Sequence, residues 1–160
     1  MAILVFILLL AIPWPGLFYG LRVKKGRSGQ TLLTLPFIFS HTFYLSHTNS
    51  IYLAPVVEKL EAEGSAIHLR EISTKSWGVI EYYNTPGSLH QEKGEIHIRD
   101  IQVTVSELPV MIGFTETQRL IWQDRVYALY DMREPGGVLT IKASSISPGE
   151  YLWAKAIQLE

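Results

Sequence analysis

The chain has 160 residues, a formal net charge of −1 and a sequence pI of about 6.5. That balance, with no Lys/Arg stripe interleaved with aromatics, excludes a global electrostatic drive toward nucleic acid. The lack of cysteine excludes disulfides, thiolate zinc sites and cysteine nucleophiles together.

Ala2 to Ile12 is apolar without a break; Pro13-Trp14-Pro15-Gly16 and Leu17-Phe18-Tyr19-Gly20-Leu21 follow, and Arg22, Lys24, Lys25 and Arg27 close the segment. The strict run is shorter than the ~20 residues a spanning helix needs. Taken through Leu21 it is long enough, with Pro13 and Pro15 as kinks and Trp14 and Tyr19 suited to an interface. Residues 1–23 therefore read as a transmembrane anchor or signal segment, with a buried helix of the fold as the alternative. As a signal peptide the stretch lacks a basic leading region and a clear small-x-small cleavage site. Its basic residues follow the apolar run, so the positive-inside rule argues for a cytoplasmic domain. Residues 24–34 read as a basic, polar linker, and the domain is expected over 35–160.

From Pro36 the period changes to two. Phe37, Phe39, His41, Phe43, Leu45 and His47 share one parity, as on a half-buried strand. Val56 to Glu63 fits two helical turns or a strand; Gly64-Ser65 and the alternation of Ala66 to Ile72 favour a hairpin. As a strand, it puts Glu58 on the apolar parity of Val56, Leu60 and Ala62, where a carboxylate must find a partner. Trp77 to Tyr83 reads as a further strand, Asn84-Thr85-Pro86-Gly87 as a turn, and Ser88 to Gly94 as a polar loop. Glu95 to Val105 alternates with a phase slip at Asp100, so a bulge or bend is expected there. Leu108 to Phe114, Arg119 to Trp122, Arg125 to Tyr130, Val138 to Ala143 and Tyr151 to Ile157 complete a series of short strands between turn signals. The pattern predicts an all-β fold, a single antiparallel β-sandwich or open barrel, behind an N-terminal transmembrane or signal helix.

Chemistry concentrates in Phe43 to Thr48 and Ala54 to Glu58, where a histidine, a hydroxyl and a carboxylate fall close to an apolar pattern. Neighbours on an extended strand point to opposite faces, so Thr48 is a poor partner for His47 as a base. His41 and His47 lie about 20 Å apart on a regular strand and cannot share a metal without a sharp bend. Nothing in the spacing of His47, His68, His90 and His97 demands a metal, and neither a metal nor a cofactor is expected. A His47–Glu58 pair remains open either as a catalytic couple or as a charge-assisted tie between strands.

Several of these residues match a known pattern. Phe43-Tyr44-Leu45-Ser46-His47-Thr48, Pro55-Val56-Val57-Glu58, Ser76-Trp77-Gly78 and the tail from Gly94 to Leu108 with Ile121 to Tyr130 resemble the bacterial domain of unknown function family 1850. Thr48 stands where that family has Ser, the interval from His47 to Glu58 is longer than usual, and Val79-Ile80-Glu81 replaces a Gly-rich continuation. The resemblance runs from about Leu35 to Ala143. It implies a small extracytoplasmic β-domain of the cell envelope, accessory to a TRAP-type solute transporter of the TAXI class, with no established activity. The implied partners are the membrane, transporter subunits and a small solute, and not nucleic acid. His47, Thr48, Glu58, Trp77 and Gly78 are then the candidate ligand-binding or structural cluster. Two other readings stand beside it: a small envelope hydrolase using His47 and Glu58, and a structural interaction domain that binds through a sheet edge.

Overall fold

Alternation along the chain resolves into two antiparallel sheets. The computed structural model describes residues 18–37, 41–114 and 117–158. The first sheet comprises β1 (Tyr19–Lys25), β2 (Gln30–Pro36), β9 (Leu108–Met111) and β12 (Val138–Ser145), in the order β2-β1-β12-β9. The second contains β3 (Thr42–Asn49), β4 (Ala54–Glu63), β5 (Ala66–Thr74), β6 (Ser88–Glu92), β7 (Glu95–Arg99), β10 (Arg119–Trp122) and β11 (Arg125–Ala128). Its order is β11-β10-β3-β4-β5-β7-β6, and β8 (Val103–Val105) pairs with the first half of β5. Two helices complete the fold, α1 (Trp77–Tyr83) and α2 (Pro148–Gln158).

The sheets share one core. Leu21, Val23, Leu35, Leu139 and Ile141 of the first meet Phe43, Leu45, Leu60, Leu120 and Trp122 of the second. A smaller core gathers Val56, Ile72, Ile98 and Ile101 beneath Val79, Ile80 and Tyr83 of α1. Along β4 the inward positions therefore pass from the smaller core (Val56) to the larger one (Leu60), and Glu58 falls between them.

The β-rich class and the β4–β5 hairpin agree with the sequence reading. The hairpin closes at Gly64, in the left-handed region at φ 57, where glycine carries no Cβ penalty. At Asp100 the chain bends at φ 59 between β7 and β8, as the phase slip predicts.

The N-terminal boundaries need correction. Residues 1–17 of the expected anchor lie outside the described residues, and among the described residues no helix is long and apolar enough to cross a membrane. Residues 19–23, assigned to the anchor, are a central strand. β1 pairs with β12 from Tyr19↔Ser145 to Lys25↔Leu139 and with β2 on its other side. Its alternation puts Leu21 and Val23 in the core and Arg22 and Lys24 outside. The supposed linker 24–34 is the rest of this hairpin, turned at Gly29 with φ 66. Arg22 and Lys24, which look like a membrane flank, are thus outward positions of a core strand.

Three further elements differ from expectation. Trp77 to Tyr83 is a helix, because Val79, Ile80 and Tyr83 carry the i, i+1, i+4 spacing of one helical face. It stops at Asn84, left-handed at φ 42, whose N–H donates to the Ile80 carbonyl. Ser88 to Glu92 is an exposed edge strand, hairpinned to β7 through Lys93 and Gly94, both at positive φ as a two-residue hairpin turn requires. Tyr151 to Ile157 belongs to α2, which opens with a capping box. The Glu150 N–H donates to Ser147 Oγ at 3.1 Å, and the Ser147 N–H donates to Glu150 Oε2 at 2.8 Å. Arg22 then grips Glu150 with two bonds of 2.9 Å, which fixes α2 against β1.

Candidate functional site

Where the two cores meet, the inner face of the second sheet carries polar side chains. Leu45 opposes Glu58 and His47 opposes Val56 in the β3–β4 register, so all four point to the same side. β9 of the first sheet and Tyr83 of α1 border this face. Between them lies a cleft of about 220 Å³. His47, Glu58, Tyr83 and Gln118 give it polar walls, and Leu45 with Leu108 to Met111 gives it an apolar one.

Glu58 finds its partner in α1. The Tyr83 hydroxyl donates to Glu58 Oε1 at 2.5 Å. Burial first, and then the adjacent Glu58 carboxylate, hold the Tyr83 phenol well above the usual tyrosine range. The phenol is therefore a fixed donor at any ordinary pH. It occupies one carboxylate oxygen and brings no counter-charge. Among the described residues Glu58 has no cationic partner.

His47 and Glu58 line the same cleft but are diagonal neighbours on adjacent strands, about 7–8 Å apart in a regular ladder and somewhat closer between Cβ atoms. They form neither a hydrogen bond nor an ion pair with one another among the described residues. Gln118, just before β10, is only 7 % exposed, and its Oε1 has no hydrogen-bond partner among the described residues. A buried carbonyl oxygen without a partner costs about 1–3 kcal/mol, so this atom marks an unfilled acceptor beside the cleft.

The remaining residues of the expected cluster lie elsewhere. Thr48 sits on the opposite face from His47, as strand alternation requires, and its N–H donates to Thr117 Oγ1 at 3.1 Å. Trp77 is 49 % exposed and does not line the cleft. Gly78 serves packing: a β-carbon there would collide with the ring of Tyr52. Tyr52 belongs to the β3–β4 loop, which is set by Asn49, whose Oδ1 accepts the N–H groups of Ile51 and Tyr52 at 3.0 Å each. Gly78 thus lets the tip of that hairpin rest on the first turn of α1, the helix whose last residue is Tyr83.

A second concentration of charge covers the outer face. His97 Nδ1 lies 2.8 Å from Glu71 Oε1, and Arg99 lies 3.5 Å from Glu71 and 2.9 Å from Glu92. Arg99 holds the Glu92 carboxyl below the usual range, and Glu92 in turn raises Arg99. These groups satisfy one another across β5, β7 and β6 and leave no unmatched member.

Chemically the cleft can accept hydrogen bonds and hold an apolar body. Its described lining contains no serine, threonine, cysteine or lysine to act as a nucleophile. Tyr83 and Gln118 were not legible as site residues. Helical spacing from Val79 to Tyr83 is the signal that leads to the first, and no sequence signal leads to the second. The chain matches no protein-family model, no curated protein and no solved structure.

Proposed function

We propose that this chain is a non-enzymatic binding domain that takes a small solute in the cleft beside Glu58 and serves a TRAP-type solute transporter at the cell envelope. The observation that supports binding is Gln118, a nearly buried amide lining the cleft, whose oxygen has no partner among the described residues, beside a carboxylate that has no counter-charge among them. Polar groups without a protein partner at an apolar-walled concavity are groups that a small polar ligand can satisfy. The transporter and envelope setting comes from the resemblance to family 1850 and from the apolar run Ala2 to Ile12, which would hold the domain to the membrane.

A hydrolytic use of His47 and Glu58 has less support, because Tyr83 engages the carboxylate and the two groups are not joined. The test is a thermal-shift screen of organic solutes of each charge type against the full chain in neutral detergent, paired with affinity capture from membranes. At least one solute class raises the melting temperature by mass action, and transporter subunits are recovered. A screen with no shift from any class removes the binding reading. Capture of no transporter component removes the accessory role.

A further inference from the structure

We infer that the solute held in this cleft is a small organic ammonium ion with an apolar body. The inference rests on the binding role proposed above and names its ligand class.

The charge balance of the walls carries the argument. Among the described lining residues Glu58 is the one carboxylate, and none is a lysine or arginine. Tyr83 supplies a hydrogen bond to Oε1 without a positive charge, so Oε2 remains a charged acceptor. A partly buried carboxylate is most stable beside a cation, and a charge-assisted N–H···O contact is about twice as strong as a neutral one. Gln118 adds an acceptor that no described residue fills. The terminal torsion of glutamine is soft, so its amide can turn toward a ligand at little cost. His47 offers a ring nitrogen on the same wall. An ammonium group has three donors and no acceptor, which suits a site rich in unfilled acceptors. An anionic ligand would meet the Glu58 charge with no lysine or arginine among the described lining residues to offset it.

The opposite wall sets the rest of the ligand. Leu45, Leu108, Val110 and Met111 are apolar and make no hydrogen bond through their side chains. A volume of 220 Å³ equals about seven waters at their liquid volume, so the body is a chain or ring of a few carbons. A bare metal ion fits poorly: one carboxylate and one histidine are too few ligands, and no group of three His, Cys, Asp or Glu forms a metal site among the described residues.

The experiment uses three probes of one shape, n-pentylammonium, n-pentanol and pentanoate, titrated into the full chain in neutral detergent and followed by amide NMR shifts. The expected result is saturable binding of the ammonium probe, with shifts at His47, Glu58, Tyr83 and Gln118, and binding at least about tenfold tighter than either other probe. Glu58→Gln, which keeps an acceptor for Tyr83, loses that preference. Gln118→Met, which keeps the volume, weakens the ammonium probe while leaving the fold and its spectrum intact. Equal or tighter binding of pentanoate or pentanol in the cleft overturns the ammonium assignment and leaves the binding role standing. No binding by any of the three overturns the assignment, and the broader solute screen then decides whether the binding role falls with it.

Discussion

The Tyr83–Glu58 contact should be measurable as an energy. Tyr83→Phe keeps the ring in the smaller core and removes only the hydroxyl that donates to Glu58 at 2.5 Å. A hydrogen bond to a charged group is worth about 1.5–3 kcal/mol. Glu58 is only partly buried, and water can replace some of what is lost, so the expected cost is about 1–2 kcal/mol. In urea, with a slope of about 2 kcal/mol/M, the midpoint should fall by roughly 0.5–1 M. Glu58→Gln tests the same bond from the other side, and the double variant should cost less than the two singles together, with a coupling of about 1 kcal/mol. The pH dependence has a definite sign. The folded phenol titrates above its unfolded value, so the stability it contributes is complete below pH ~10 and is lost as pH rises beyond that. Burial and the Glu58 charge are the causes, so Glu58→Gln should leave part of this alkaline sensitivity and Tyr83→Phe should remove it. A Tyr83→Phe midpoint equal to wild type, with additive energies in the double variant, would refute the contact.

Leu21→Ala separates a core strand from a membrane flank: Leu21 is fully buried, and the loss should be about 2–5 kcal/mol by urea titration, whereas a flank position would show almost none. Gly78→Ala should displace the ring of Tyr52, which is 44 % exposed, and this offsets the ~1 kcal/mol that alanine gains over glycine in a helix; with Tyr52→Ala in the same chain that gain should appear in full by urea titration. Glu150→Ala removes the carboxylate half of the capping box and the Arg22 tie and leaves the Ser147 Oγ cap in place, so hydrogen exchange in the first turn of α2 should speed up at a cost of about 1 kcal/mol. Burial opposes ionisation of Glu150, but the Ser147 amide and Arg22 outweigh it and hold the carboxyl low. The support it gives α2 is therefore present above pH ~4.3, the ordinary glutamate value, and should be lost as pH falls through the lower folded value.

Much of the fold could be read directly because strand period and turn chemistry are local. The β3 alternation, the Gly64 hairpin and the break at Asp100 each depend on a few adjacent residues. The demand that Glu58 find a partner was also legible, since it followed from parity alone. Who the partner is was not, because Tyr83 arrives from a helix of seven residues whose apolar spacing also alternates as a strand. β1 was hidden for another reason. Its apolar positions continue the N-terminal run, and its outward Arg22 and Lys24 imitate a membrane flank. α2 had a local signal in Ser147-Pro148-Gly149-Glu150, a capping box with proline at the first helical position, although Pro-Gly also reads as a turn. Of the expected cluster, His47 and Glu58 reach the cleft because they share a face; Thr48 and the Trp77-Gly78 pair do not, because adjacency in sequence says nothing about side-chain direction. Gln118 is the extreme case, placed by the return of the chain into β10.

The most direct test of the binding role is a backbone NMR map of the full chain with a library of small solutes. The account predicts that some solute shifts the amides of His47, Glu58, Tyr83 and Gln118 in a saturable way and leaves Thr48 and Trp77 unmoved. Solute shifts centred on Thr48 and Trp77, or none at the cleft across the library, would contradict it.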